Sequence, residues 1–254
     1  MKLFVKESSK AFRSNWILRF SFSLQFYRRL AFFVFFPYFA MRKRAHKVAS
    51  TRLPAEIDAL LPDDLPQPWD TQALFGRQAP LELEIGSGRG LFITQAARST
   101  SDHDFLGVEI SKKYAKHCAT LIAKHQISNA VMVCGDAQAV LREHIPERSL
   151  VAVHIYFPDP WWKRRHRKRR IVSEPVIHLV SQRLVPGGKL HFWTDVEEYF
   201  RAGLQSIANV PGFDGPFEVE ERLAEHELDY RTHFERRTRL HDQPVYRSLF
   251  IKPE

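Results

Sequence analysis

The sequence predicts an α/β fold with a mostly parallel seven-stranded sheet and helices on both faces. From residue 81 onward, short apolar runs alternate with longer amphipathic segments, which is typical of parallel βα units. The run 150–156 is almost continuously apolar, as expected of a central strand that is covered on both sides. A glycine-rich turn at 86–90 lies between the first predicted strand and the first predicted helix, where folds of this class often bind a ligand.

Apolar runs bounded by turn residues predict the strands, and amphipathic segments predict the helices. Strands are predicted at 81–85, 105–108, 131–134, 150–156, 189–193, 217–220 and 245–251. Helices are predicted at 91–98, 112–125, 137–144, 173–184 and 197–209. Pro186-Gly187-Gly188 predicts the turn that ends the fourth of these helices and leads into the fifth strand.

The composition divides the chain into three parts. Residues 81–254 form the predicted α/β domain, and residues 41–80, with five prolines, form an irregular lead-in. Residues 1–40 form an atypical basic and aromatic extension with ten of the twenty phenylalanines, and its apolar run 30–36 is too short to span a bilayer. We interpret this extension as the result of a start codon placed too early, with Met41 as the first residue. A signal anchor or an interfacial helix is the alternative.

Positive charge is concentrated in two places. The formal net charge is +9, and residues 1–50 contain eleven Lys/Arg against the single acid Glu7. Residues 163–170 contain seven Lys/Arg, while the rest of the chain is acidic. This asymmetry indicates a polyanionic partner such as a nucleic acid more strongly than a high isoelectric point alone.

The cysteine pattern argues against a zinc site and against a disulfide framework. Cys118 and Cys134 are the only cysteines, and neither lies at a metal-ligand spacing from the other or from a histidine. We therefore expect no metal and no disulfide, which fits a reducing cytoplasm.

Three acidic residues lie at the ends of successive predicted strands: Glu84, Glu109 and Asp136. Ligands bind at the carboxyl ends of such strands, so we expect these carboxylates beside the glycine turn. Acidic surroundings favour a cationic cofactor such as a sulfonium and disfavour a pyrophosphate. The glycines are spaced GxGxG, which departs from the NAD-binding fingerprint. Taken alone, Asp136 would be better explained as the cap of the next helix.

The segment Phe157-Pro158-Asp159-Pro160-Trp161 follows the fourth predicted strand and directly precedes the basic run. Prolines on both sides stiffen the loop that carries Asp159. A carboxylate that binds a base edge, beside cations that bind phosphates, is what an RNA-modifying site needs. The alternatives are a turn carboxylate and an ordinary solvated surface. Trp161 either stacks on a splayed base or anchors the loop from below.

With these motifs the chain resembles the S-adenosylmethionine-dependent methyltransferases and, more narrowly, the bacterial tRNA (guanine-N7)-methyltransferase family. The resemblance extends from about residue 81 to residue 252. It rests on the glycine turn, the segment around Asp159, Lys163, the run 166–170, Thr194-Asp195 and Thr232-His233-Phe234-Glu235. It implies a Rossmann-like class I methyltransferase fold, S-adenosylmethionine as cofactor, and methylation of N7 of guanine 46 in the variable loop of tRNA.

The resemblance also implies roles for individual residues, of which Asp159 is the expected catalytic one. The expected cofactor-binding residues are Glu84, Gly86, Gly88, Glu109, Asp136, Ala137 and Asp159. The expected contacts to tRNA or to the target guanine are Lys163, Arg164, Arg165, Asp195, Thr232, His233, Phe234 and Glu235. The chain departs from the family pattern at Trp162, where a smaller residue or histidine is expected, and at Asp242, where glycine is common.

Together these observations predict a cytoplasmic enzyme that binds tRNA as a monomer or homodimer, without a metal and without stable membrane association. A methyltransferase acting on a small molecule or a protein is the alternative, because it would keep Glu84, Glu109 and Asp136 but needs no basic run. A second alternative is a non-catalytic RNA-binding module, which would bind tRNA but not S-adenosylmethionine. An NAD-dependent oxidoreductase is disfavoured by the glycine spacing.

Overall fold

A computed structural model describes residues 57–220 and 230–254 of the chain. The predicted extension 1–40 and the first part of the lead-in lie outside the described residues. Within the described part, residues 57–80 contain a short 3-10 helix, Pro62–Asp64, and a one-turn helix, α1 (Thr71–Phe75). Leu60 pairs with Val133 of the sheet, and Leu65 is buried in the core, so this part of the lead-in packs against the domain.

The sheet has seven strands in the order β3-β2-β1-β4-β5-β7-β6. The strands are β1 (Leu81–Ile85), β2 (Asp104–Glu109), β3 (Ala130–Cys134), β4 (Leu150–Tyr156), β5 (Leu184–Thr194), β6 (Asp214–Phe217) and β7 (Tyr246–Ile251). The first five strands run parallel to one another, while β7 is antiparallel to both β5 and β6. The predicted mostly parallel seven-stranded sheet is confirmed.

Helices cover the sheet on both faces. They are α2 (Leu91–Ser99), α3 (Lys112–Lys124), α4 (Ala137–Glu143), α5 (Glu174–Arg183), α6 (Glu197–Ala208) and α7 (His233–Leu240). Side chains alternate between the faces of a strand, and β2 shows the division. Phe105 packs with residues of α2 and α3, whereas Leu106 and Val108 belong to the cluster that contains residues of α4, α5 and α6.

Three elements differ from the sequence-based prediction. The sixth strand lies at 214–217 rather than 217–220, because Gly215 and Pro216 conceal an edge strand that pairs with β7. The fifth strand begins at Leu184, which pairs with Leu150, and the predicted glycine turn forms a bulge before Lys189. Helix α7 was not predicted, because its sequence is almost entirely polar and lacks an apolar stripe.

The topology predicts a ligand-binding crevice at the carboxyl ends of β1 and β4. Strand β1 lies between β2 and β4, so the chain order reverses direction there, and such a switch point is where open α/β sheets bind ligands. The glycine turn follows β1, and the Asp159 segment follows β4. Among residues 57–220 and 230–254, no helix is both long enough and apolar enough to cross a membrane.

Candidate active site

The glycine turn between β1 and α2 is held against the end of β2. Gly86, Gly88 and Gly90 all have positive φ angles, of 79°, 52° and 77°. The Gly86 N–H donates to the Val108 carbonyl at 2.8 Å, and the Gly88 N–H donates to Glu109 Oε2 at 2.9 Å. The turn is therefore fixed by hydrogen bonds at the crevice, with its backbone close to Glu109.

Of the three glycines in this turn, Gly90 is the one whose replacement should cost the most stability. A Cβ at this position would lie 2.3 Å from Cys118 Sγ, whereas a Cβ at Gly86 would meet no heavy atom within 4 Å. We expect Gly90→Ala to lower the free energy of unfolding by roughly 2–4 kcal/mol and Gly86→Ala by only about 1–2 kcal/mol, the cost of the positive φ alone. Denaturant unfolding measures both changes. Adding Cys118→Ala to Gly90→Ala should recover part of the loss, and strictly additive losses would contradict the proposed clash.

Glu84 is buried, and one of its carboxylate oxygens has no hydrogen-bond donor in the described part of the chain. Its side chain is on β1, and the residue is only 4% exposed. Its Oε2 atom accepts no hydrogen bond from the described part of the chain. Burial, and to a smaller extent the nearby negative charge of Glu109, raise the pKa of Glu84 to about 8. A buried oxygen without a partner fits a ligand that brings a cationic or hydrogen-bond donor group into the crevice.

Glu109 is the last residue of β2, and backbone N–H groups hold its carboxylate in place. Besides the bond from Gly88, its Oε1 atom accepts from the Ser111 N–H at 2.8 Å. A carboxylate offers about four acceptor positions, so Glu109 can still accept bonds from a ligand. Ile110 follows directly and is 75% exposed. Ile110 was not predicted from the sequence, because an isolated aliphatic residue gives no signal until its exposure is known.

Asp136 follows β3 and caps α4. Its Oδ1 atom accepts from the Gln138 N–H at 2.8 Å, as the capping alternative predicted. Ala137 is buried in the first turn of that helix. The Gly135 N–H donates to the Glu109 carbonyl at 3.1 Å, which brings the Asp136 turn beside the end of β2. The capping bond uses one of the acceptor positions of Asp136 and leaves others for a ligand.

The loop that carries Asp159 is bracketed by two strained residues. Phe157 and Trp161 have φ angles of 50° and 44°, in the left-handed region that costs a residue with a side chain about 1–2 kcal/mol. The Phe157 N–H donates to the Trp193 carbonyl at 2.8 Å, and Arg170 Nε donates to the Pro160 carbonyl at 2.7 Å. Asp159 is exposed at the top of this fixed loop. Such strain is typical of functional loops.

The basic run forms a 3-10 helix, Arg164–Arg169, immediately after the loop. Most of its cations point into solvent, and so does Lys163. The exposed members are Lys163, Arg164, Arg165, Lys168 and Arg169. Arg170 instead lies with its guanidinium 5.0 Å from the centre of the Tyr199 ring, which ties the end of the run to α6. The run is thus a fixed cationic surface beside Asp159.

Helix α7 begins at the Thr232-His233-Phe234-Glu235 motif, and two of these four residues hold the helix in place. Thr232 caps α7 by accepting from the Glu235 N–H at 3.0 Å. Glu235 is 3% exposed, and its Oε1 atom pairs with Arg247 at 3.1 Å and Arg239 at 3.5 Å. Its Oε2 atom accepts from the Arg231 N–H at 2.7 Å. These bonds give Thr232 and Glu235 a structural role, and their direct contact with a substrate stays a prediction.

His233 and Phe234 are the exposed members of the motif. Phe234 stacks on Phe157 with ring centres 6.2 Å apart, which places the start of α7 beside the Asp159 loop. Asp195, just after β5, accepts from the Thr238 hydroxyl at 3.3 Å. The structure therefore brings the ends of β4 and β5 and the start of α7 together at one edge of the sheet.

A buried network of polar side chains reaches Arg231, two positions before α7, and was not predicted from the sequence. His154 Nε2 donates to Glu82 at 2.6 Å, and its Nδ1 atom accepts from the Tyr156 hydroxyl at 2.9 Å. Burial lowers the pKa of His154, which keeps the ring neutral and allows this pairing. Arg231 in turn donates to the Tyr156 oxygen at 3.3 Å and stacks on Trp193. The members lie far apart in the sequence, so no local pattern reveals them.

In the described part of the chain, no three His, Cys, Asp or Glu side chains are grouped so as to hold a metal ion. What the site does contain is a glycine turn, acidic residues at the ends of β1 and β2 and after β3 and β4, and a cationic surface next to Asp159. The fold and this arrangement define a class I methyltransferase. An antibiotic-related methyltransferase of known structure has the same fold, with a TM-score of 0.50 and 14% identity over 76% of this chain and 94% of the other.

Sequence comparison narrows the class. Residues 78–248 match a family model described as a putative methyltransferase. A tRNA (guanine-N(7)-)-methyltransferase from Rhodopirellula baltica is 45% identical over 205 residues, which cover 78% of this chain and 76% of that protein. One from Pectobacterium atrosepticum is 38% identical over 184 residues, covering 72% and 77%. The chain belongs to the bacterial tRNA (guanine-N7)-methyltransferase family, which confirms the resemblance seen in the sequence.

Proposed function

We propose that this protein transfers the methyl group of S-adenosylmethionine to N7 of a guanine in tRNA, and that this guanine is nucleotide 46 of the variable loop. One observation supports the proposal above all others. The exposed Asp159 stands on a fixed loop between the acidic strand ends and a cationic 3-10 helix. A small-molecule substrate would not require that cationic surface, whereas an RNA substrate does.

The acidic strand ends fit the cofactor. S-adenosylmethionine supplies, when bound, an electrophilic methyl group on a positively charged sulfur. The unpartnered Oε2 atom of Glu84 suits the ammonium group of that ligand. Glu109 would accept from the ribose hydroxyls and Asp136 from the adenine amino group, with the exposed Ile110 offering an apolar face to the adenine ring. Gly86, Gly88 and Ala137 would let the backbone approach the ligand closely.

Asp159 acts on the guanine. The N7 atom carries a free lone pair, so no general base is needed to create the nucleophile. The carboxylate of Asp159 would accept from N1–H and from the N2 amino group, and these bonds strengthen as the ring gains positive charge. Holding N7 in line with the methyl group can contribute roughly 7–11 kcal/mol. The residues around α7, with Asp195, would hold the other side of the base.

The cationic surface binds phosphates, and its contribution should depend on salt. We expect replacement of Arg164, Arg165 and Lys168 by glutamine to raise the KM for tRNA and to flatten the plot of log Kd against log salt by up to roughly 2 units. Direct measurement of tRNA binding between about 50 and about 200 mM salt gives this slope.

A matched triple variant serves as the control. Arg98, Lys124 and Arg142 are also exposed and occupy the last turns of α2, α3 and α4, at the opposite edge of the sheet. Their replacement by glutamine removes the same charge and should leave the slope unchanged. Equal effects of the two triple variants would show that net charge, not a binding surface at 163–170, determines the affinity.

Two transcripts of one tRNA test the position of the target. A transcript with guanine at nucleotide 46 should accept one labelled methyl group, and the same transcript with adenine there should accept none. Unchanged labelling of the second transcript would contradict nucleotide 46. We place this reaction in the cytoplasm, with tRNA as the partner of a monomer or homodimer that holds no metal.

A further inference from the structure

The two neighbouring tryptophans, Trp161 and Trp162, have different surroundings. Trp161 is half-buried, with the Arg169 guanidinium 5.1 Å from its ring centre and the His166 ring perpendicular to it, 5.7 Å away. Two side chains of the 3-10 helix therefore pack against Trp161. Of the two roles that the sequence left open for Trp161, the contacts support the anchor.

Trp162 is the tryptophan that faces solvent. It is 54% exposed, and among the described residues no other tryptophan is in the exposed class. Its neighbours within a few positions are the exposed Asp159, Lys163 and Arg164. The backbone of Trp161 is left-handed, with φ of 44°, so the chain changes direction between Trp161 and Trp162. Backbone strain at the residue directly before an exposed aromatic side chain points to a role of this loop in binding.

We propose that Trp162 is a nucleobase-stacking subsite for the nucleotide next to the target guanine. The inference rests on the proposed function, because it takes an RNA as the ligand of this edge. Asp159 lies three positions before Trp162, and the cationic 3-10 helix begins two positions after it. Along the chain, this exposed tryptophan therefore lies between the residue proposed to bind the target base and the residues proposed to bind phosphates.

The chemistry of the substrate explains the need for such a subsite. An enzyme that acts on a base of a structured nucleic acid takes that base out of its stack, and its neighbour then loses a stacking face. An exposed indole can stack on the neighbouring base in place of the displaced one, and such stacking accepts any of the four bases.

Stacking and phosphate binding differ in their dependence on salt, which separates Trp162 from its cationic neighbours. We expect Trp162→Ala to raise the Kd and KM for tRNA roughly 5- to 150-fold at every salt concentration, with an unchanged salt slope. The kcat at saturating tRNA and the Kd for S-adenosylmethionine should stay within about twofold of the wild type. Trp162→Phe, which keeps an aromatic face, should restore most of the affinity. Because the side chain is largely exposed, both variants should unfold at the wild-type temperature.

Intrinsic fluorescence and modified RNAs give independent readouts. Binding of tRNA should quench tryptophan fluorescence in the wild type, and the quenching should be largely lost in Trp162→Phe but retained in the matched control Trp69→Phe, because Trp69 packs against the core. Three tRNAs are compared: the unmodified one, one with an abasic nucleotide before the target and one with an abasic nucleotide after it. The loss of affinity caused by Trp162→Ala should disappear in one of the two abasic tRNAs. An equal penalty on all three RNAs would overturn the subsite.

The outcomes distinguish the subsite from the proposed function. If the wild type methylates tRNA while Trp162→Ala binds it with unchanged affinity and unchanged quenching, the subsite is wrong and the methyl transfer stands. If the wild type binds tRNA through Trp162 but forms no 7-methylguanosine, the proposed function is wrong and the stacking surface stands. A Trp162→Ala variant that changes the salt slope as the cation variants do would also overturn the stacking role.

Discussion

Asp159→Ala should reduce the turnover of tRNA methylation by at least roughly 10²- to 10³-fold, while the Kd for S-adenosylmethionine stays within about threefold of the wild type. The reason is that Asp159 lies exposed on its loop, whereas Glu84 and Glu109 are buried. Its loss removes bonds that strengthen as the guanine ring becomes positive, and it leaves the buried acids in place. Single-turnover kinetics with labelled cofactor measures the chemical step, and calorimetry measures the cofactor affinity.

Two further variants sharpen this test. Asp159→Asn keeps the shape but replaces one acceptor oxygen by a donor and removes the charge, so its turnover should be nearly as low as that of the alanine variant. Asp102→Ala removes another exposed aspartate, just before β2 at the opposite edge of the sheet, and should leave turnover unchanged. Wild-type turnover in Asp159→Ala would remove the catalytic role of this residue.

Binding of S-adenosylmethionine should become tighter as the pH rises toward 8. Burial raises the pKa of Glu84 to about 8, so most molecules of the ligand-free protein carry a protonated Glu84 at pH 7. A cationic ligand favours the carboxylate and therefore displaces a proton. Below pH 8 the Kd should fall by up to about tenfold per pH unit and then level off. Calorimetry in buffers of different ionisation enthalpy counts the protons released.

Glu84→Gln is the matched control for this prediction. The amino group of the cofactor titrates in the same way with both proteins, so the difference between their pH profiles isolates Glu84. The variant should bind more weakly at pH 8.5 and release fewer protons. A Kd that follows the same pH profile in both proteins would contradict the role of Glu84.

The same pKa has a consequence for the stability of the ligand-free protein. The pKa of Glu84 is raised from 4.5 when the chain folds, so the folded state binds the proton more tightly than the unfolded state. The free energy of unfolding should therefore fall as the pH rises from about 4.5 to about 8, by up to about 1.4 kcal/mol per unit. Chemical denaturation across this range should show the fall in the wild type and a flatter profile in Glu84→Gln.

The parts of the site that the sequence predicts are those that local patterns determine. Alternating apolar runs located the first five strands, and parallel strands end at one edge, which places Glu84, Glu109, Asp136 and Asp159 there. The glycine turn follows from its position after β1.

The remaining features depend on contacts between distant segments. Helix α7 has no apolar stripe and is held by polar bonds such as the pair between Glu235 and Arg247. The bond between His154 and Glu82 joins residues 72 positions apart. The difference in exposure between Trp161 and Trp162 also depends on a tertiary contact, because the Arg169 guanidinium covers the Trp161 ring. Periodicity and spacing carry no information about such contacts.

Methylation at guanine N7 requires that the four carboxylates share one ligand-binding crevice and that this crevice opens toward the cationic 3-10 helix. Nucleoside mass spectrometry of tRNA, incubated with the purified protein and S-adenosylmethionine labelled in its methyl group, tests this most directly. We expect a single labelled product, 7-methylguanosine, formed by the wild type and formed at least roughly 10²- to 10³-fold more slowly with Asp159→Ala. No labelled 7-methylguanosine from the wild type, or label on a different nucleoside, would contradict the proposed chemistry.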